Sequence, residues 1–131
     1  MEGKEKGDMK KVLVVGSLNM DMVLSVDHHP VPGETIIGDG ITYHPGGKGA
    51  NQAYAVGKLG GDVRIIGCVG WDNNGMILTE NLAQAGVDTT AINRMPEAPT
   101  GMAIIDVDKK GDNSIIVISG ANACLTPDLL R

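Results

Sequence analysis

The sequence contains no Phe, one Trp and two Tyr among its 131 residues, so aromatics make up 2% of the chain. Any core must therefore be aliphatic, packed from Val, Ile, Leu, Met and Ala; at 42% hydrophobic residues there is enough for one domain but not for two full ones. No apolar run approaches the ~20 residues that span a bilayer. The opening Met1-Glu2-Gly3-Lys4-Glu5-Lys6 is polar, and no signal peptide is expected. There is no block of basic residues and the net charge is −5, which argues against nucleic acid or an anionic membrane as the main partner. Only two cysteines occur, Cys68 and Cys124, both in apolar surroundings. They are expected to be buried free thiols of a cytoplasmic protein rather than a disulfide. His28, His29 and His44 lack metal-ligand spacing, so surface or packing roles are expected and no metal site is predicted. Internal repeats are absent.

Glycine is what the chain has in quantity, 19 residues of it. Three fall within four positions in His44-Pro45-Gly46-Gly47-Lys48-Gly49-Ala50-Asn51-Gln52-Ala53. Such a run turns sharply, lets a ligand approach the backbone and opens into small helix-tolerant residues. A helix start offers free N–H groups and partial positive charge to an oxygen-rich ligand. Lys48 adds a full charge, and Asn51 an amide that both donates and accepts. A glycine connection without a ligand is the plainer alternative. A lysine at a helix start is electrostatically unfavourable, however, and makes better sense facing a ligand or a carboxylate.

In chain order, residues 1–11 carry nothing to bury and are expected to form a disordered polar tail. The run Lys11-Val12-Leu13-Val14-Val15-Gly16 predicts a strand buried on both faces of a mostly parallel sheet. Asn19 and Asp21 follow its carboxyl end, where ligands of open α/β sheets collect. Alone, Asp21 reads equally well as a solvated loop acid or a cap; its pairing with Lys48, on a second loop at the same sheet edge, favours function. Thr35-Ile36-Ile37 and Ile41-Thr42-Tyr43 flank Gly38-Asp39-Gly40 as a hairpin, an insertion of the kind that forms lids. A helix is expected from Gly49 to Leu59, a second buried strand over 63–69, a helix over 76–85 begun near a capping Asp72, and a short strand over 88–93. A second hairpin joins 101–107 to 114–119 around a solvated tip carrying Asp108 and Asp112, and extends the lid, whose segments are placed at about 22–45 and 100–119. Thr126-Pro127 starts a last helix within which the sequence stops, which suggests a fragment of a longer protein comprising one domain over 12–131.

Two nucleotide motifs fail at the glycine turn. A P-loop would need Gly where Thr42 stands and a hydroxyl residue where Gly49 stands. A dinucleotide G-x-G-x-x-G would need Gly in place of Gln52. An unrelated nucleotide-binding α/β domain is thereby set aside.

Gly16-Ser17-Leu18-Asn19-Met20-Asp21, Pro32-Gly33-Glu34-Thr35, Gly46-Gly47-Lys48-Gly49-Ala50-Asn51-Gln52-Ala53 and Gly120-Ala121-Asn122-Ala123 together resemble the ribokinase-like carbohydrate kinase family, collinearly from about Val12 onwards. The resemblance implies a Rossmann-like parallel sheet with flanking helices and a small β-sheet lid that often clasps a second subunit. It implies ATP-dependent phosphorylation of the 5-hydroxyl of D-ribose. Asn19, Asp21, Gly47, Lys48 and Asn51 would bind the sugar, with Gly46 and Gly49 shaping the turn. By the same resemblance the catalytic base, the anion hole and the sites for ATP, Mg2+ and a monovalent cation such as K+ lie in a carboxyl half, so no catalytic or cofactor-binding residue is expected in this chain. A ribose-binding half-enzyme, dimeric through its lid and inactive alone, is the first expectation. A non-catalytic sugar-binding or dimerising module is the second.

Overall fold

A computed structural model describes residues 10–130, so Lys10 and Lys11 are the only part of the expected polar tail within it. Lys11 already opens the first strand. Two sheets are built. The central one is parallel, ordered β1-β4-β5, from β1 (Lys11–Val15), β4 (Asp62–Gly70) and β5 (Ile92–Met95). The second is four-stranded, ordered β3-β2-β6-β7, from β2 (Asn19–Ser25), β3 (Gly40–Gly46), β6 (Gly101–Val107) and β7 (Asn113–Ile118). Helices α1 (Lys48–Lys58) and α2 (Asn73–Gln84) complete the α/β unit, followed by 3-10 turns at Gly120–Cys124 and Pro127–Leu130.

The core is aliphatic, as a sequence without Phe requires. Val14, Val63 and Ile65 of the central sheet pack with Leu78 and Leu82 of α2 and Ala50 and Ala53 of α1. Leu78 and Leu82 lie four residues apart, one turn of a single helix face. Leu18, fully buried, joins the same cluster from the connection between the two sheets.

Several expectations change. β1 is not buried on both faces: Val14 is 8% exposed, but Leu13 and Val15 are 58% and 47% exposed. Both clustered helices pack on the Val14 side, and β1 is an edge strand with β4 as its neighbour. The hairpin over 35–43 does not form, because residues 35–38 have no strand structure. β3 pairs instead with β2 over seven residues, from Asn19 opposite Gly46 to Ser25 opposite Gly40. The third parallel strand begins at Ile92 rather than Asp88. The Asp88 carboxylate accepts hydrogen bonds from the Thr90 N–H at 2.9 Å and hydroxyl at 2.6 Å, and this turn delays regular pairing. The second hairpin forms as expected, and β6 runs parallel to β2, so this hairpin and the β2–β3 pair share one sheet. The final helix is a short 3-10 turn in which Leu129 N–H donates to Thr126 O; Arg131 lies outside the described residues.

Candidate functional site

Asn19 and Asp21 do not lie on a loop beyond β1. They are the first and third residues of β2, on one face of the four-stranded sheet because side chains alternate along a strand. Directly opposite them in β3 stand Gly46 and His44. A Cβ at Gly46 would fall 2.4 Å from Asp21 Oδ2 and 2.6 Å from Oδ1, so the carboxylate occupies the space above that glycine. Burial pushes the Asp21 pKa up, and the His44 charge partly offsets this.

The glycine turn joins this strand pair to α1. Gly47 caps the helix with φ +97°, a conformation that favours glycine, and its carbonyl accepts from Asn51 N–H at 2.8 Å. Gly49 lies against the connection out of β1: a Cβ there would be 2.8 Å from Gly16 Cα. Ala50 N–H donates to Ser17 O at 3.0 Å in the same contact. The first turn of α1 is thus held against the chain entering β2.

Lys48 is the first residue of α1 and is exposed. Among the described residues it makes no ion pair, so neither Asp21 nor another carboxylate neutralises it. Asn51, also exposed on α1, opens on a cavity of about 270 Å³ with His44, Pro45, Tyr54, Leu78 and Asn81. Asn19, Asp21, Gly47, Lys48 and Gly49 do not line that cavity. The structure therefore brings Asn19, Asp21, Gly47 and Gly49 together, and sets Lys48 and Asn51 on the adjoining first turn of α1.

Asp72 does more than cap. Its Oδ1 accepts from Gly75 N–H at 2.8 Å and from Thr100 Oγ1 at 2.6 Å, while Oδ2 accepts from Thr100 N–H at 2.9 Å. Thr100 Oγ1 in turn accepts from Gly70 N–H at 2.9 Å. Burial raises the Asp72 pKa, but these hydrogen bonds outweigh it and the net shift is downward. This network ties β4, α2 and the start of β6 together.

Two residues near the site were not predicted to belong to it: His44, expected only in a surface or packing role, whose Nε2 meets Thr42 Oγ1 at 3.0 Å, and Asn122, which bonds the backbone of Leu18. A partner of Asp21 becomes visible in sequence only once the β2–β3 register is known. The histidines at 28 and 29 lie elsewhere, bridging to Glu34 and Asp108. Among the described residues no three His, Cys, Asp or Glu side chains are grouped to hold a metal.

A parallel α/β layer carries a second small sheet, and a carboxylate and amides stand beside a glycine-shaped helix start. The pfkB family of carbohydrate kinases matches residues 9–131, and the chain belongs to it. It is 46% identical over 124 residues to the ribokinase of Haemophilus influenzae, covering 94% of this chain and 40% of that protein. It is 36% identical to the deoxyribokinase of Salmonella typhi, covering 89% of this chain and 38% of that one. The structure of Arabidopsis thaliana ribokinase complexed with ribose and ATP superposes with a TM-score of 0.80 at 35% identity, over 87% of this chain and 37% of that one. The chain spans about 40% of the length of the curated ribokinase it matches.

Proposed function

We propose that this chain is the sugar-binding part of an ATP-dependent kinase that phosphorylates the 5-hydroxyl of D-ribose. Asn19, Asp21, Gly47, Lys48 and Asn51 bind the sugar, and Gly49 shapes the turn that presents them. One observation carries this reading: the Asp21 carboxylate sits over Gly46, beside Asn19 and next to a glycine-capped helix start. An ionised carboxylate accepts hydrogen bonds from two neighbouring hydroxyls at once. Lys48, which makes no ion pair among the described residues, supplies a further charged donor. The four-stranded sheet, formed from segments within about 22–45 and 100–119 together with the start of β2, acts as the lid.

The glycine turn lacks the P-loop pattern, and no acidic cluster is available for a metal among the described residues. ATP, Mg2+ and a monovalent cation such as K+ are assigned to the part of such an enzyme that this chain does not span. Phosphoryl transfer rests on positioning and on charge stabilisation around the phosphate, so this chain alone is inactive. ATP-dependent phosphorylation of ribose by the purified chain would overturn that. We place the protein in the cytoplasm, consistent with two free thiols, and as a homodimer joined through the exposed outer surface of the lid.

The test is ribose binding by Asp21→Asn, measured by calorimetry or NMR titration. Losing a charge-assisted hydrogen bond costs about 1.5–3 kcal/mol, or roughly ten- to hundred-fold in affinity. Unchanged affinity removes Asp21 from the site. A non-catalytic sugar-binding module predicts the same loss, and differs in showing no ribose phosphorylation when the chain is joined to the carboxyl part of a ribokinase.

A further inference from the structure

Gly120-Ala121-Asn122-Ala123 has no role in the site described so far, yet Asn122 makes three hydrogen bonds to residues more than a hundred positions away. Its Oδ1 accepts from Leu18 N–H at 3.0 Å. Its Nδ2 donates to Leu18 O at 3.1 Å and to Asn19 Oδ1 at 2.8 Å. Gly101, beside Asn19 in the sheet, makes room for this pair. A Cβ there would lie 2.2 Å from Asn122 Nδ2 and 2.4 Å from Asn19 Oδ1.

The backbone of Leu18 decides which way the Asn122 amide faces. Its N–H must meet an oxygen and its C=O must meet an N–H. Rotating the amide by half a turn would set donor against donor and acceptor against acceptor. Asn122 therefore turns an N–H towards Asn19, and Asn19 must answer with its carbonyl. The Asn19 NH2 is left over, and it donates to none of the described residues. Two residues along the same face, Asp21 offers only acceptors. A donor beside an acceptor complements two neighbouring hydroxyls, each of which both gives and takes a hydrogen bond.

We propose that Asn122 is a positioning residue: it holds Asn19 with its NH2 presented to the sugar, opposite in sense to the Asp21 carboxylate. This rests on the reading of Asn19 and Asp21 as sugar ligands. The staple also joins the chain's entry into the lid, at Leu18 and Asn19, to its return after β7, so the donor is set by the same contact that seats the lid.

Two measurements test it. Three-bond couplings to the Asn19 side chain report its χ1 rotamer: one rotamer in the wild-type chain, averaged values in Asn122→Ala. Ribose affinity is then compared across wild type, Asn19→Ala, Asn122→Ala and the double variant. Each single change weakens binding about five- to ten-fold, the equivalent of one hydrogen bond, and the double variant weakens it no further than Asn19→Ala. Asn122→Asp keeps the acceptor for Leu18 N–H but sets an oxygen against Asn19 Oδ1. It gives the same loss and stands in if Asn122→Ala fails to fold. A single Asn19 rotamer retained without Asn122, or losses that multiply in the double variant, overturns the proposal. Ribose bound alike by wild type and Asn19→Ala, or by neither, overturns the sugar reading and the role in binding with it. The couplings then still decide whether Asn122 holds Asn19.

Discussion

Asp21 pays for its place over Gly46, since burial lifts its pKa above the ordinary 3.8. Two consequences have opposite signs. Because the folded-state pKa lies above the unfolded one, acidification through that interval favours the folded form at this residue. If Asp21 binds the sugar as proposed, the ionised form is the one required, and affinity should fall on acidification from a higher pH than for an ordinary aspartate. A ribose titration repeated from pH 7 downwards checks this, with Asp21→Asn as the control whose affinity stays flat over that range. A loss confined to pH below 3.8 would mean that the carboxylate is not desolvated. At this scale local pattern made the nearness of Asn19 and Asp21 to the glycine turn legible, but not their place at the start of β2. Asn122 and His44 were not assigned, because their partners are made by register and by contacts over a hundred residues, for which no local pattern exists.

Among elements, the start of β6 hangs on Asp72. Removing that carboxylate in Asp72→Ala deletes the cap of α2 and strands Thr100, which is 2% exposed. The cap is worth about 1 kcal/mol and the unsatisfied Thr100 groups about 1–3 kcal/mol more. A lower melting temperature is expected, with Asp72→Asn intermediate because it retains one acceptor. A melt unchanged by Asp72→Ala would show that the network does not bear on stability. The long connection from β2 to β3 has its own tether. His28 bridges Asp27 at 3.1 Å and Glu34 at 3.0 Å, Lys109 at the β6–β7 tip pairs with Asp27, and His29 reaches Asp108 at 3.4 Å. The hydrogen bond to Glu34, then that to Asp27, raises the His28 pKa above 6.5, while both carboxylates are lowered. The His28 contribution is complete below pH 6.5 and is lost as pH rises through the raised value; the carboxylate contributions are lost only well into acid. Amide exchange over 27–39 should therefore be slowest in mildly acidic solution and quicken above neutrality, beyond the intrinsic rise of exchange with pH. Identical protection in His28→Ala would remove the tether. This segment was misread as half of a hairpin because Thr35-Ile36-Ile37 has strand-like residues. Strand structure needs a partner, and β2, whose start looked like a polar loop, had already taken β3.

For the whole molecule, the two sheets differ in how they are covered. The central sheet buries Val14, Val63 and Ile65 under α1 and α2, while Leu13 and Val15 on the other face of its edge strand are exposed. The reading of β1 as a strand buried on both faces came from its continuous apolar residues, and those residues ask for a second layer that the described chain does not supply. The lid shows a second apolar surface, with Ile116 and Ile118 of β7 and Ile41 and Tyr43 of β3 on one face and all about half exposed or more. An edge strand with free hydrogen-bonding groups and an apolar face is an association site. The chain is therefore expected to run larger than a monomer in light scattering at micromolar concentration. The two surfaces separate by substitution. Ile116→Asp disrupts the lid and should abolish a discrete dimer, whereas Leu13→Lys should suppress only concentration-dependent growth beyond it, leaving the dimer and ribose affinity in place. Both variants behaving as wild type would remove these surfaces from the assembly, and a monomeric wild-type chain that melts cooperatively would show that neither surface needs a cover.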